Sequence, residues 1–247
     1  MPEPVSTRAP ELPGRTVASQ RWTQLAFLHW RVESSRVAAF LPPGVLPDEH
    51  DGSSWVGLIG FRLDRATLFG SPPVPHLGDF AEINVRLYGV DGAGRRGVVF
   101  RSLEASRLAA VVAARAAFSL PYFWSRTAIE HRDDEVTYRS ERHLGTGSTL
   151  IRVRTGAPLE PDATQAFLTA RWGLYTRRLG RTVFLPNWHE PWPLAAAELL
   201  ELDDGLLAAA GFPGVADRAP DSVLFSSGVT TRFAAPRTVP ARRASVD

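Results

Sequence analysis

Ala113–Arg126 reads AARAAFSLPYFWSR, and the rest of the chain is organised around this stretch. The alanine-rich half is strongly helix-forming. Leu120-Pro121 ends it, because proline lacks an N–H and its ring clashes with the preceding turn. Three aromatic residues, Tyr122, Phe123 and Trp124, then open a strand. Tyr122 therefore sits at a helix–strand junction.

Working outward, Ser106 is the expected N-cap of a helix over 107–118. Beyond the junction, 122–130, 135–141 and 148–154 read as a meander, with turns at Asp133-Asp134 and Gly145–Gly147. Pro161 and Asp162 favour the start of a second helix, expected over 161–172. A hairpin follows over 174–178 and 181–187, around Leu179-Gly180. A short helix near 204–210 and a last strand over 222–233 complete this half.

Upstream, RWTQLAFLHWRV at 21–32 alternates like a strand, with Trp22, Gln24, Ala26, Leu28 and Trp30 on one face. Ser34 or Ser35 can cap a short helix that Pro42-Pro43-Gly44 ends. Residues 54–68 form a long strand or a bent pair, and 72–75 a proline loop. FAEINVRLYGV at 80–90 alternates clearly and closes at Asp91-Gly92-Ala93-Gly94, with 98–104 as its hairpin partner. The expected class is α+β and β-rich, an antiparallel sheet or barrel with two main helices. One domain is expected over 21–235, between a mobile arm at 1–20 and a mobile tail at 236–247.

Composition narrows the chemistry. Hydrophobic residues make up 44% of 247, and no apolar run approaches the about 18 residues that span a membrane. The N-terminus has no apolar signal segment, so a soluble cytoplasmic protein is expected, without membrane partners. There is no cysteine, and all 28 basic residues are arginine. Thiol nucleophiles and lysine Schiff bases are therefore excluded, as is the usual lysine anchor of pyridoxal phosphate. Net charge is +2 and the arginines are interspersed with 26 acids, so nucleic acid is not an expected partner. No metal or cofactor is expected, since His131, Asp133, Asp134 and His143 match no strong ligand spacing. Seven Trp and 13 Phe supply aromatic surface for a homo-oligomer.

Several residues could carry chemistry. Glu82, Asn84 and Arg86 share one strand face by their i, i+2, i+4 spacing, with Ile83, Val85 and Leu87 on the other. They form either a solvated outer face or a polar wall inside a barrel, with Glu82 and Arg86 as an ion pair. Arg31 ends the first strand and suits a carboxylate. Tyr122 can donate a hydrogen bond to a carbonyl but cannot form an imine. His189, in NWHEPWPL, is either structural or a proton shuttle on a rigid loop.

The order and spacing of QRWTQLAFLHWRV, FLPPGVLP, GDFAEINVRLYGV, VVFRSLEA, ARAAFSLPYFWSR, WHEPWPLAAAEL and LFSSGV resemble the YqjF-like family of uncharacterised conserved proteins. That family is a distant branch of the acetoacetate decarboxylase-like superfamily. The resemblance runs from about Gln20 to Pro236 and implies a β-rich barrel-like fold. In the decarboxylases a Phe-Pro-Lys-Lys segment carries the Schiff-base lysine. Here Leu120-Pro121-Tyr122-Phe123 stands in its place, so both lysines are absent. The comparison also puts Arg31 at the substrate-binding arginine and Glu82, in Phe80-Ala81-Glu82, at the active-site acid.

Amine-dependent decarboxylation is thereby excluded for these residues. The expectation is a small-molecule binding protein for a carboxylate or oxo acid. Its site would comprise Glu82 and Tyr122 as proton-handling groups and Arg31, Asn84, Arg86, Trp124 and His189 as ligand contacts. The alternative is a lysine-independent enzyme performing lyase, hydratase or proton-transfer chemistry through Glu82 and Tyr122. In a non-catalytic form, Tyr122 and Phe123 would plug the old site.

Overall fold

The structure is a computed structural model that describes residues 1–73 and 78–240. The end of the expected proline loop, residues 74 and 75, and most of the expected C-terminal tail lie outside the described residues. In chain order the elements are β1 (Thr16–Val32), α1 (Ser34–Ala38), β2 (Val45–Pro47), β3 (Ser54–Leu68), β4 (Phe80–Asp91) and β5 (Arg96–Ala105). Then come α2 (Leu108–Phe118), β6 (Tyr122–Arg132), β7 (Glu135–Arg142), β8 (Ser148–Pro158) and α3 (Ala163–Thr169). The last are β9 (Gly173–Arg178), β10 (Arg181–Trp188), β11 (Leu194–Asp204), α4 (Leu206–Ala209), β12 (Ser222–Ala234) and β13 (Arg237–Thr238). Among the described residues, no helix is long and apolar enough to cross a membrane.

Nine strands close a barrel in the order β5-β6-β7-β8-β11-β12-β1-β3-β4, with β4 returning to β5. Its interior holds Leu28, Trp30, Leu58, Ile83, Val85, Val136, Tyr138, Ile151 and Val153. Every pairing in this ring is antiparallel except β5–β6, where Leu103–Ala105 run parallel to Tyr122–Trp124. The α2 crossover is what permits that parallel step.

A second ring shares much of the same wall. The β9–β10 hairpin pairs at one side with Val98-Val99 of β5 and at the other with Arg232-Phe233 of β12. The circuit β12-β1-β3-β4-β5-β9-β10 therefore encloses a second chamber. Apolar side chains such as Leu25, Ile59, Phe61 and Leu103 pack at one end of it. Trp55, Tyr88, Val98, Leu174 and Phe233 pack at the other. Strand β4 is buried on both faces: Ile83, Val85 and Leu87 face the barrel, and Glu82, Asn84 and Arg86 face the chamber.

One irregularity sets which side chains of β1 enter the chamber. The β1–β3 register shifts between Thr23 and Ala26, and Gln24 takes a positive φ of 53°. An extra residue in one strand reverses the alternation beyond it. The even-numbered face expected for β1 is therefore split. Trp22 lies on the same side as Leu25 and Phe27, whereas Ala26, Leu28 and Trp30 enter the barrel. Tyr138 donates its hydroxyl to the Gln24 carbonyl at 2.6 Å. Opposite the bulge, Gly228 has φ +124°, and a Cβ there would collide with the Trp22 carbonyl.

Boundaries differ from the sequence expectation where capping or pairing decides them. Strand β1 begins at Thr16, inside the stretch expected as an arm, because Thr16–Gln20 find partners on β12. Likewise Arg237-Thr238, expected in the tail, pair with β10. Ser106 does not cap α2; Arg107 stands at the N-cap without a side-chain bond. Helix α3 is capped by Asp162, whose carboxylate accepts from the Gln165 N–H at 2.8 Å while Gln165 returns a bond to the Asp162 N–H. It ends at Thr169, three residues earlier than expected, with Ala170 leaving the helical backbone region at φ −82°, ψ 80°.

Candidate functional site

Between the two apolar ends of the chamber lies a cavity of about 190 Å³. Strand β4 supplies its polar wall, since the pleat aims Glu82, Asn84, Arg86 and Tyr88 to one side. Helix α2 closes the chamber near Phe118, and the junction after it delivers Tyr122. The backbone makes this possible: Ser119 adopts a left-handed φ of 54°, stopping the helix, and Pro121 releases the chain into β6.

Glu82 is 2% exposed. Its Oε2 accepts the Tyr122 hydroxyl at 2.8 Å, and its Oε1 lies 3.5 Å from the Asn84 amide nitrogen. Burial pushes Glu82 up to about 7; the bonds from Tyr122 and Asn84 pull the other way, and the Glu104 carboxylate adds to the rise. Burial, then the neighbouring Glu82, hold the Tyr122 phenol well above its ordinary value. At neutral pH Tyr122 is therefore a proton donor beside a carboxyl group poised between its two forms. The expected Glu82–Arg86 ion pair does not form: Glu82 turns to Tyr122 and Asn84, and Arg86 to other partners.

Arg86 donates instead through Nε to the Tyr88 hydroxyl at 3.0 Å and through Nη2 to the Leu168 carbonyl at 3.3 Å. Among the described residues, no carboxylate lies within ion-pair distance of it. It is half-buried and lines the cavity, so its charge lacks a protein counter-ion. Arg171, also in the lining, is 5% exposed. Its Nε donates to the Phe167 carbonyl at 2.8 Å and its Nη1 meets Asp48 at 2.5 Å, while Nη2 has no partner among the described residues. The early end of α3 allows this, because residues beyond Thr169 are free to fold back on the last turn. The Asn84 Oδ1 and the Trp22 Nε1 are also buried without a partner among the described residues.

His189 lines the cavity between the rings of Trp172 and Trp192, with centroids 4.7 and 4.6 Å away. Its Nδ1 lies 2.6 Å from the Glu190 carbonyl and so carries the proton, leaving Nε2 with the lone pair. Burial pulls His189 down to about 4. At neutral pH the ring is thus an uncharged acceptor.

Two expected contacts lie elsewhere. Arg31 is outside the cavity lining, with its guanidinium 4.6 Å from the Trp55 ring and 3.6 Å from the Asp51 carboxylate. It stands at the end of β1, where the strand leaves the chamber, and is not brought to the other candidate residues. Trp124 is 39% exposed and stacks on His143 at 4.0 Å. Trp124 is not brought to the cavity although it lies two residues beyond Tyr122 on the same strand. Phe123 packs 3.7 Å below the Arg142 guanidinium rather than in the cavity. Phe123 therefore does not fill the cavity, and Tyr122 takes part in its polar wall.

Sequence reasoning missed His29, Tyr88 and Arg171. His29 is fully buried, and its Nε2 lies 2.7 Å from the Tyr88 hydroxyl. Tyr88 simply continues the 82, 84, 86 series, and that extension was available from the alternation. His29 was hidden by the bulge that swaps the faces of β1. Arg171 had no local signal.

Residues 19–230 match the model of DUF2071, described as an uncharacterized conserved protein. The chain is 31% identical over 189 residues to the uncharacterized protein YqjF of Bacillus subtilis (strain 168), covering 75% of this chain and 78% of that protein. An acetoacetate decarboxylase-like enzyme from Sphingomonas wittichii RW1 superimposes with a TM-score of 0.64 at 12% identity, over 92% of this chain and 95% of that one. The enduracididine biosynthesis enzyme MppR, in complex with pyruvate, superimposes with a TM-score of 0.60 at 13% identity, over 92% of each chain. At these identities the structural likeness establishes the fold. Match length and identity together establish that the chain, which has an acetoacetate decarboxylase-like fold, belongs to the DUF2071, YqjF-like family of uncharacterized conserved proteins.

Proposed function

We propose that the chamber binds a small carboxylate that also carries a carbonyl group. The observation that carries this reading is Arg86, a half-buried guanidinium with no carboxylate partner among the described residues, in the same cavity as the Glu82–Tyr122 pair. A buried charge without a counter-ion is costly, and an anionic ligand supplies the missing partner in a geometry arginine favours. Tyr122 can turn its single O–H from Glu82 to the ligand's carbonyl oxygen, and Asn84 Oδ1, without a partner among the described residues, can accept from a ligand hydroxyl or enol. A filled chamber would have favoured a purely structural role; about 190 Å³ remains. An apolar cavity of about 150 Å³ admits benzene, so the chamber has room for a small organic acid whose body is about the size of a benzene ring. The pyruvate bound to MppR belongs to the same chemical class.

A second reading adds chemistry, favoured by the position of Glu82 near pH 7 beside a protonated phenol. Ionised Glu82 removes a proton from the carbon next to the carbonyl. The C–H electron pair becomes the enolate π bond, and the oxygen accepts a hydrogen bond from Tyr122. Return of the proton from Glu82 regenerates the ligand. No amine takes part, in keeping with a sequence that has no lysine.

Thermal-shift titration with pyruvate and larger oxo acids tests the binding reading. A ligand at about 100 times its dissociation constant stabilises by about 2.7 kcal/mol. The shift is expected in wild type and lost in folded Arg86→Gln. No shift with any oxo acid would refute the reading. Proton NMR in deuterium oxide tests the chemistry: exchange at the carbon beside the carbonyl is expected in wild type and not in Glu82→Gln.

A further inference from the structure

We infer that the ligand is an oxo acid with a bulky apolar body, aryl or branched alkyl, whose carboxylate is held by Arg86 and Arg171 together. This rests on the binding reading above and narrows it to a substrate class.

The two guanidinium groups share one end of the cavity. Their central carbons lie 5.6 Å (Arg86) and 4.8 Å (Arg171) from the Tyr88 ring, and they bond the adjacent carbonyls of Leu168 and Phe167. Arg171 is held by Asp48, but Asp48 also takes the Arg96 guanidinium. Three arginines thus converge where one carboxylate is present, which leaves the end cationic. The Arg171 Nη2 is buried without a partner among the described residues. A buried donor without an acceptor is costly, and a ligand carboxylate spanning Arg86 and Arg171 would supply one.

The opposite demand comes from the rest of the lining. Trp22 and Trp192 stack with ring planes 11° apart and centroids 6.1 Å apart, and Phe61 and Phe233 pack edge-on against Trp22. Trp192 is fixed in turn by an N–H donated to the Thr169 carbonyl at 3.0 Å. Pyruvate would neutralise the arginines and leave this aromatic wall facing empty space. An aryl or branched side chain would cover it, with its carbonyl lying along β4 toward Tyr122.

The test is calorimetric titration of the full chain with pyruvate, 4-methyl-2-oxopentanoate and phenylpyruvate. The bulky acids are expected to bind at least about tenfold more tightly than pyruvate. Trp192→Ala should bring the three affinities within about threefold of each other. Arg171→Lys, which keeps the charge opposite Asp48 but loses the second donor, should weaken all three by about tenfold. The comparison among ligands needs only wild-type protein, so it stands even if a variant does not fold. Pyruvate binding as tightly as the bulky acids, with Arg86→Gln still abolishing binding, would overturn this inference and leave the broader reading intact. Binding of no oxo acid at all would overturn both.

Discussion

Replacing Glu82 by Gln probes the site without a ligand. The substitution keeps shape and removes the charge. In the folded protein Glu82 is raised from 4.5 to about 7, with burial as the main cause. One pKa unit corresponds to about 1.4 kcal/mol, so the fully ionised carboxylate costs the folded state about 3 kcal/mol relative to the unfolded chain. The raised value fixes the direction. Below pH 4.5 Glu82 is protonated in both states and the cost is absent. As pH rises from there toward 7, the unfolded chain gives up its proton first and stability falls; above 7 the cost is constant. Between pH 5 and pH 8 the wild type should lose about 2–3 kcal/mol through this group. Other titrating groups cancel in the difference between wild type and variant. Urea unfolding of both proteins at half-unit steps of pH measures that difference. Glu82→Gln should gain on wild type steadily across the window and reach its full relative advantage near pH 8. Curves that stay parallel would refute the argument, and so would a variant that loses ground as pH rises.

Three further outcomes follow from the packing. Arg31→Ala should leave oxo-acid affinity unchanged in titration calorimetry and cost at most about 1 kcal/mol, as its ion pair with Asp51 is exposed. Glu104→Gln should destabilise by about 3–5 kcal/mol in denaturant unfolding, because it strips the buried Arg142 of its carboxylate. Tyr138→Phe should cost about 1–3 kcal/mol in the same assay, since the Gln24 carbonyl at the β1 bulge loses its donor.

The sequence carried the barrel class because its strands alternate and its turns are marked. The 80–90 segment alone predicts a polar row on one strand face, and that row is the wall of the cavity. Its burial was not legible locally. The choice between solvent and interior depends on β9 and β10, which close the second ring from far along the chain. Arg31 and Trp124 were misplaced for a different reason. Arg31 follows the face of Phe27 and His29 but stands past the chamber at the end of β1, and Trp124, two residues beyond Tyr122, lies exposed outside the cavity lining. The faces of β1 could not be assigned from alternation at all, because Gln24 interrupts it with a conformation that non-glycine residues adopt infrequently. Arg171 owes its position to the early stop of α3, which a helix pattern running to Trp172 concealed.

Strand β4 has two insides and no outside. Apolar side chains on one face fill the barrel, while the polar row on the other walls the chamber. A partition shared in this way denies each compartment a separate melting event, because opening either one strips the strand that supports its neighbour. Amide hydrogens of β7 and β8, which line only the barrel, should therefore exchange through the same cooperative opening as those of β9 and β10. A small molecule seated in the chamber would slow exchange across strands it never touches, and the barrel would report occupancy at a distance.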